Sequence, residues 1–232
     1  MPRSLHYARY NPERVSLLTV SLKSVFLGIV ISTNLCLIVL YRSTKWIKLS
    51  WYAVFLALFH ILEFVFTVMF NNAQVDDDSF ILEDMEMHAM TVLAIIEYLV
   101  RVYYFQIDSW TKPTLVGLAT LLVGQFCRSG AMYTASESFN HYIQRNQQDS
   151  HKLVTTGIYG YLRHPSYFGF FWWFVGLQVF LNNWIVTILG TVILGSFFKK
   201  RIVFEEIYLV QFFKQDYIKY REVTGTGIPF IR

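Results

Sequence analysis

The sequence predicts an all-α, polytopic integral membrane bundle of about six helices, the last two forming a C-terminal hairpin. Three observations predict it. Apolar residues make up 54% of the chain and charged ones only 16%, whereas soluble domains carry about 25% charged residues. Several apolar stretches reach the length of about 20 residues that a helix needs to cross a bilayer. The basic residues flank those stretches and form no stripe, as loop charges of a membrane protein do. The net charge of +4 therefore does not indicate nucleic acid.

Taken in order, Leu17–Leu40 is the first crossing, its apolar run too long for a cleavable signal peptide. Leu49–Phe70, Met87–Ile107 and Thr114–Tyr133 follow. Pro113 opens the fourth, suiting a first helical position because the N–H it lacks would be unpaired there anyway. The polar, mixed stretch Thr134–Leu162 contains no spanning run. Tyr167–Leu181 and Trp184–Phe198 are short for full crossings, and Asn182-Asn183 between them should turn the chain into a tight hairpin. Lys199-Lys200-Arg201 closes it with a cationic interfacial cluster, and the amphipathic stretch Ile202–Val223 should continue the last helix. All crossings pack together, so one domain, 1–232, is expected.

Parity and the positive-inside rule together put the N-terminus, the acidic loop Asn71–Glu86 and Thr134–Leu162 on the cytosolic side. His60 and Glu63 share a helix face, and Glu97 and Arg101 stand in the favourable order for an ion pair. Such groups either brace a bundle or line a polar route through it. The polar residues are densest around "GIYGYLRHPSYFG", where Arg163, His164 and Pro165 directly precede a long aromatic run. That is a polar site at the lip of a membrane. Arg201 and Glu205 lie one turn apart in the weaker order for a mutual salt bridge, so each is expected to have its own partner elsewhere.

Several chemistries are excluded. His141, His151 and His164 match no zinc spacing, so no metal is expected. Cys36 and Cys127 sit in apolar stretches and read as buried neutral thiols. Ser166 lacks the glycines of a nucleophile elbow, and no dinucleotide-binding glycine motif is present.

The segments "HKLVTTGIYGYLRHPSYFGFF" and "RIVFEEIYLVQFFKQDYIKYREVTGTGIPFI", with "AMYTASESFNHYIQ" and more loosely "LFHILEF", resemble the isoprenylcysteine carboxyl methyltransferase family over roughly residues 49–232. With one crossing before "WYAVFLALFH", where many animal members have additional N-terminal helices, the chain is similar to the shorter, roughly six-helix members or to a shortened form. The resemblance implies methyl transfer from S-adenosylmethionine, leaving S-adenosylhomocysteine, to the C-terminal carboxylate of a prenylated cysteine. The expected substrates are CaaX-processed proteins such as small GTPases, reached through membrane lipid. The expected setting is the endoplasmic reticulum membrane with a cytosol-facing cofactor site.

By motif, Gln144, His151, Lys152, Leu153, Val154, Tyr159, His164, Pro165, Ser166, Tyr167 and Glu205 would surround the cofactor. Arg201 would hold the substrate carboxylate, with Arg163 as a second catalytic candidate. The resemblance divides the chain into membrane helices at 1–133 and a catalytic region at 134–232. Related readings are a phospholipid N-methyltransferase and an NADPH-dependent sterol reductase relative; Arg201 favours an anionic substrate over the amine of the former.

Overall fold

The structure, a computed structural model, describes residues 13–41, 45–106, 110–146 and 152–231. Six α-helices account for most of it: α1 (Leu17–Leu40), α2 (Ile47–Phe70), α3 (Met85–Phe105), α4 (Lys112–Ala135), α5 (Pro165–Leu181) and α6 (Trp184–Val223). Short 3₁₀ turns at Asn72–Gln74, Ser136–Ser138 and Gly157–Gly160 shape the connections. No strand occurs among the described residues, only a single bridge between Leu162 and Gly225. The helical elements lie where the apolar runs predict them. α3 begins two residues early because the Asp84 carboxylate caps it, accepting from the Met87 N–H at 3.1 Å.

Three helices, α1, α2 and α4, are by length and composition apolar enough to cross a membrane. α1 is apolar nearly all round, and Leu27 is its only buried described residue. Its outward Leu17, Leu22, Phe26 and Leu40 are each more than half exposed, as are Leu115, Val116 and Phe126 of α4. So much exposed apolar surface is stable only against lipid.

The core is centred on α5, whose main packing partner is α4 and not the hairpin neighbour α6. Glycines make this possible. A Cβ at Gly124 would lie 2.3 Å from the Trp173 nitrogen, and one at Gly169 2.4 Å from the Arg128 nitrogen. Gly117 and Gly176 repeat the same pattern one heptad away, each 2.3 Å from a backbone nitrogen of the opposite helix. The two helices thus run antiparallel with their backbones in contact, the small-residue packing that membrane helices favour. Phe59, Trp173, Leu177 and Phe180 fill the core around this seam.

The Asn182-Asn183 turn forms as predicted, with Asn182 in the left-handed conformation (φ 60°, ψ 31°). Two other expectations are corrected. Glu97 does not pair with Arg101; its carboxylate caps α6, accepting from Ile185 N–H at 3.0 Å and Val186 N–H at 2.8 Å. The positive end of a helix dipole competes well for such a charge. Nor does α6 run straight on from the membrane: its backbone departs from helical values at Lys214 (φ 48°, ψ −123°). Arg221 lies 3.5 Å from Glu206, 15 residues earlier, whereas an unbroken helix would hold them about 22 Å apart along its axis. The chain therefore doubles back at Lys214.

Gly124→Ala should lower the thermal unfolding midpoint in detergent, at an overpacking cost of about 1–3 kcal/mol. Gly28→Ala on α1, where nothing lies within 4 Å, should leave it unchanged. A scanning calorimetry comparison of the two variants checks this.

Candidate active site

The C-terminal ends of α2 and α4 and the N-terminus of α5 meet at one end of the bundle, and two buried carboxylates organise it. Glu63 of α2 grips Arg128 of α4 at two points, Nε–Oε1 at 2.7 Å and Nη2–Oε2 at 2.8 Å. Both side chains are buried. The free end of the same guanidinium donates through Nη1 to the Ser166 hydroxyl at 2.5 Å, so the pair ties α2 and α4 to the first turn of α5. Breaking a buried pair of this kind costs about 3–5 kcal/mol. Thr67 donates to the Glu63 carbonyl at 2.7 Å and accepts from His141 Nε2 at 3.1 Å, bringing the Phe139–Tyr142 segment into the same network.

The second carboxylate is Glu206. Arg163 Nε donates to it at 2.6 Å, His164 Nε2 at 3.1 Å and the Tyr217 hydroxyl at 3.1 Å. Burial works against this charge, but the His164 and Arg163 hydrogen bonds outweigh it and hold the carboxyl at about 2. Arg163 also donates to the Thr224 carbonyl at 2.9 Å, while its backbone N–H bonds Gly225 at 3.0 Å. Glu206 thereby ties the Arg-His-Pro turn to the returning arm of α6. Pro165 then starts α5 at its first helical position.

Between these clusters opens a cavity of about 390 Å³. Its walls bring together Lys152, Leu153, Val154, Tyr159, Arg163, His164, Pro165, Ser166, Tyr167, Arg201 and Glu205. Gln144 lines a smaller adjoining pocket with Lys152 and Glu205, and His151 lies outside the described residues. Asp76 and Asp78 of the loop after α2 reach the same rim. That loop, the N-terminus of α1 and the stretch after α4 therefore share one end, the arrangement parity requires. Phe170, Phe197, Phe198, Leu209 and Phe213 give the cavity an apolar wall as well. Among the described residues no cluster of histidine, cysteine and carboxylate side chains could hold a metal.

Arg201 and Glu205 share one partner, correcting the expectation of separate ones. The Tyr167 hydroxyl accepts from Arg201 Nε at 2.8 Å and donates to Glu205 at 2.7 Å. Arg201 also donates through Nη2 to the His141 carbonyl at 2.5 Å. A guanidinium has five N–H donors, so both on Nη1 and one on Nη2 remain for a ligand. Tyr167 is itself sandwiched, stacked on His164 at 5.5 Å and on Phe198 at 5.1 Å between ring centroids.

Arg128 and Glu206 are absent from the sequence reading of the site. An arginine inside the apolar run "VGQFCRSGA" is a recognisable signal, since a charge there needs a partner. Glu206 carries no such mark: its neighbour Glu205 lies in the motif too, and only the fold tells their roles apart. Of the other flagged pair, His60 Nδ1 hydrogen-bonds the Phe80 carbonyl at 2.8 Å, while Glu63 turns to Arg128.

With this geometry in view, the similarities to known proteins fall into place. The family model described as isoprenylcysteine carboxyl methyltransferase (ICMT) matches residues 115–211. The protein-S-isoprenylcysteine O-methyltransferase of Saccharomyces cerevisiae is 35% identical over 231 residues, covering 96% of this chain and 94% of that protein. The chain belongs to the isoprenylcysteine carboxyl methyltransferase family. The Homo sapiens protein of the same name is 33% identical over 225 residues, covering 96% of this chain and 78% of its own length. A solved structure of the eukaryotic intramembrane Ras methyltransferase ICMT superimposes with a TM-score of 0.87 at 33% identity, covering 92% of this chain and 77% of that one. The protein is an enzyme of this type, a membrane methyltransferase.

Burial pushes the His141 imidazole down to about 4, against the pull of Glu63, so its Nδ1, 3.9 Å from that carboxylate, carries no charge near neutrality. An unfolded His titrates near 6.5 and binds its proton before the folded one does. Stability from this group is therefore complete above about pH 6.5 and falls as the pH drops toward 4. Glu206 adds a further loss only below about pH 4.5, through to about 2. The unfolding midpoint of the purified enzyme should thus decline between pH 7 and 5, and His141→Gln should flatten that decline.

Proposed function

We propose that this methyltransferase esterifies the α-carboxylate of a prenylated C-terminal cysteine at the cavity described above. S-adenosylmethionine is the methyl donor and S-adenosylhomocysteine the product. The observation that carries the reading is Arg201: a guanidinium held by Tyr167 and His141, with its outer N–H groups unspent, beside both a polar and an aromatic wall.

The residues present fit the methyl donor. The cavity volume falls within the range of about 300–1,000 Å³ usual for ligand sites. Residues 152–155 run without regular structure along its edge, and the N–H groups of Leu153 and Val154 have no partner among the described residues. Glu205 offers a carboxylate and Tyr159 a largely buried ring, its hydroxyl held neutral by burial and by nearby Glu205. Main-chain contacts at 152–154 would leave their side chains free to vary. When bound, S-adenosylmethionine supplies an electrophilic methyl on a positively charged sulfur.

The chain's own residues then have a positional task. An α-carboxylate titrates near 3.5 and is already a nucleophile at neutral pH, so no general base is needed. The outer edge of Arg201 matches a carboxylate at two points. The α5 N-terminus, at Pro165–Tyr167, adds its positive end to the same wall. Good orientation supplies up to about 7–11 kcal/mol of a barrier. Arg163 acts as a positioning residue: Glu206 and Thr224 engage its guanidinium, and it sets the turn that presents His164 and Tyr167.

The apolar wall of Phe170, Phe197 and Phe198 suits an isoprenoid, whose transfer into an apolar phase gains about 0.8 kcal/mol per CH₂. CaaX-processed proteins such as small GTPases fit as substrates, and the endoplasmic reticulum membrane as the setting. A cytosol-facing cavity agrees with the cationic cluster Lys199–Arg201, of which Arg201 lines it.

Membranes containing the enzyme, given radiolabelled S-adenosylmethionine and a farnesyl-cysteine analogue, should form a base-labile methyl ester; label in phospholipid instead would overturn the reading. Arg201→Lys keeps the charge but loses the fork, and should cut turnover on the order of 100-fold with donor affinity retained. Glu205→Gln should do the reverse, weakening donor binding in calorimetry more than it slows turnover at saturation.

A further inference from the structure

At the end of the bundle opposite the cavity, the charges do not balance. Lys48, in the first turn of α2, is 1% exposed, yet its ammonium donates only to the neutral Thr114 hydroxyl, at 2.7 Å. That hydroxyl is already shared with Thr111 at 2.9 Å and Asn182 at 3.5 Å. Arg101 of α3 lies close enough for the two positive charges to repel, and its Nε is buried without a hydrogen-bond partner. Glu97, one turn earlier on the same helix, is spent on the N-terminus of α6. Among the described residues neither cation forms an ion pair.

The other end of the molecule shows how this chain treats a buried cation when the counter-charge is its own. Arg128 has Glu63, and Arg163 has Glu206. Two buried or half-buried cations without a carboxylate are costly unless an anion joins them.

We propose that Arg101 and Lys48 form a binding site for the phosphate of an anionic phospholipid headgroup. Arg101 is the partly exposed contact group and Lys48 a fixed charge beneath it. The depth fits a headgroup: Trp46 and Trp110 are 46% and 48% exposed at this end, and Tyr103 and Tyr104 are 76% and 71% exposed. Rings of this kind mark the membrane–water boundary. A guanidinium with a free N–H edge is also the side chain best matched to phosphate oxygens. The site stands apart from the methyl-transfer cavity, so its loss should not alter the chemistry there.

The test uses the full chain in phosphatidylcholine nanodiscs, with and without phosphatidic acid. Phosphatidic acid should raise the unfolding midpoint of the wild type by several degrees, and Lys48→Met and Arg101→Gln should each lose that gain while methylating at the wild-type rate in phosphatidylcholine. Native mass spectrometry of the wild type should show one phosphatidic acid retained through delipidation, a readout that stands even if a variant folds poorly. Equal lipid responses in wild type and variants overturn the proposal, as does an equal gain from inorganic phosphate in phosphatidylcholine alone. Asp108 lies outside the described residues. A loss of stability in Asp108→Asn equal to that of Arg101→Gln in neutral lipid would show an internal counter-charge and also overturn it.

Discussion

The contact between the backbones of α4 and α5 is the constraint on which the rest of this enzyme depends. With Gly117, Gly124, Gly169 and Gly176 interleaved, the two helices approach until each glycine faces a main-chain nitrogen of the other. At the end of that seam Gly169 meets Arg128, and only at this separation does the guanidinium reach both Glu63 and the Ser166 hydroxyl. The Arg-His-Pro turn immediately precedes Ser166, so the position of His164 and Tyr167 is inherited from this helix packing. Apolar burial offers little drive for helices surrounded by lipid, which makes close backbone approach and buried polar contacts the available sources of order.

The two buried carboxylates divide the work. Glu63 fixes the start of α5 from inside the bundle, and Glu206 fixes the same turn from the side of the cavity. Neither lines the cavity itself. Glu205, one residue before Glu206 and rotated about 100° around the helix, does. Adjacent glutamates thus serve structure and site, with Tyr167 linking Glu205 to Arg201 through one hydroxyl. The reversal at Lys214 completes the enclosure, because it returns Tyr217 and Tyr220 to Glu206 and to the Tyr159 carbonyl, where the Tyr220 hydroxyl donates at 2.6 Å.

The cavity's two-sided lining follows from its place at the end of the bundle. Aromatic residues of α5 and α6 descend toward the apolar interior, while loops 138–142 and 152–154 close over the polar side. A methyl donor that dissolves in water and an acceptor that dissolves in lipid can meet only at such a boundary. At the far end of the bundle Lys48 and Arg101 have, among the described residues, no carboxylate partner, and exposed tryptophan and tyrosine rings lie around them.

The sequence by itself determined the helices, the Asn182-Asn183 turn and most of the cavity wall. Apolar runs of spanning length, a proline in the first turn of a helix and an asparagine pair are local signals that neighbouring residues alone suffice to create. Motif resemblance located Arg201, Glu205 and the Arg-His-Pro turn, all of which line the cavity. Tertiary structure alone decided the pairings: Arg128 with Glu63 across 65 residues, Glu97 with the α6 N-terminus across 88, and Glu206 with Arg163 across 43. In each case a charge had more than one permissible partner along the chain, and the cost of leaving it unsatisfied is set by which groups the packed helices bring within reach. The reversal at Lys214 belongs to the same class, since no glycine or proline marks it and only the contacts it permits hold it in place.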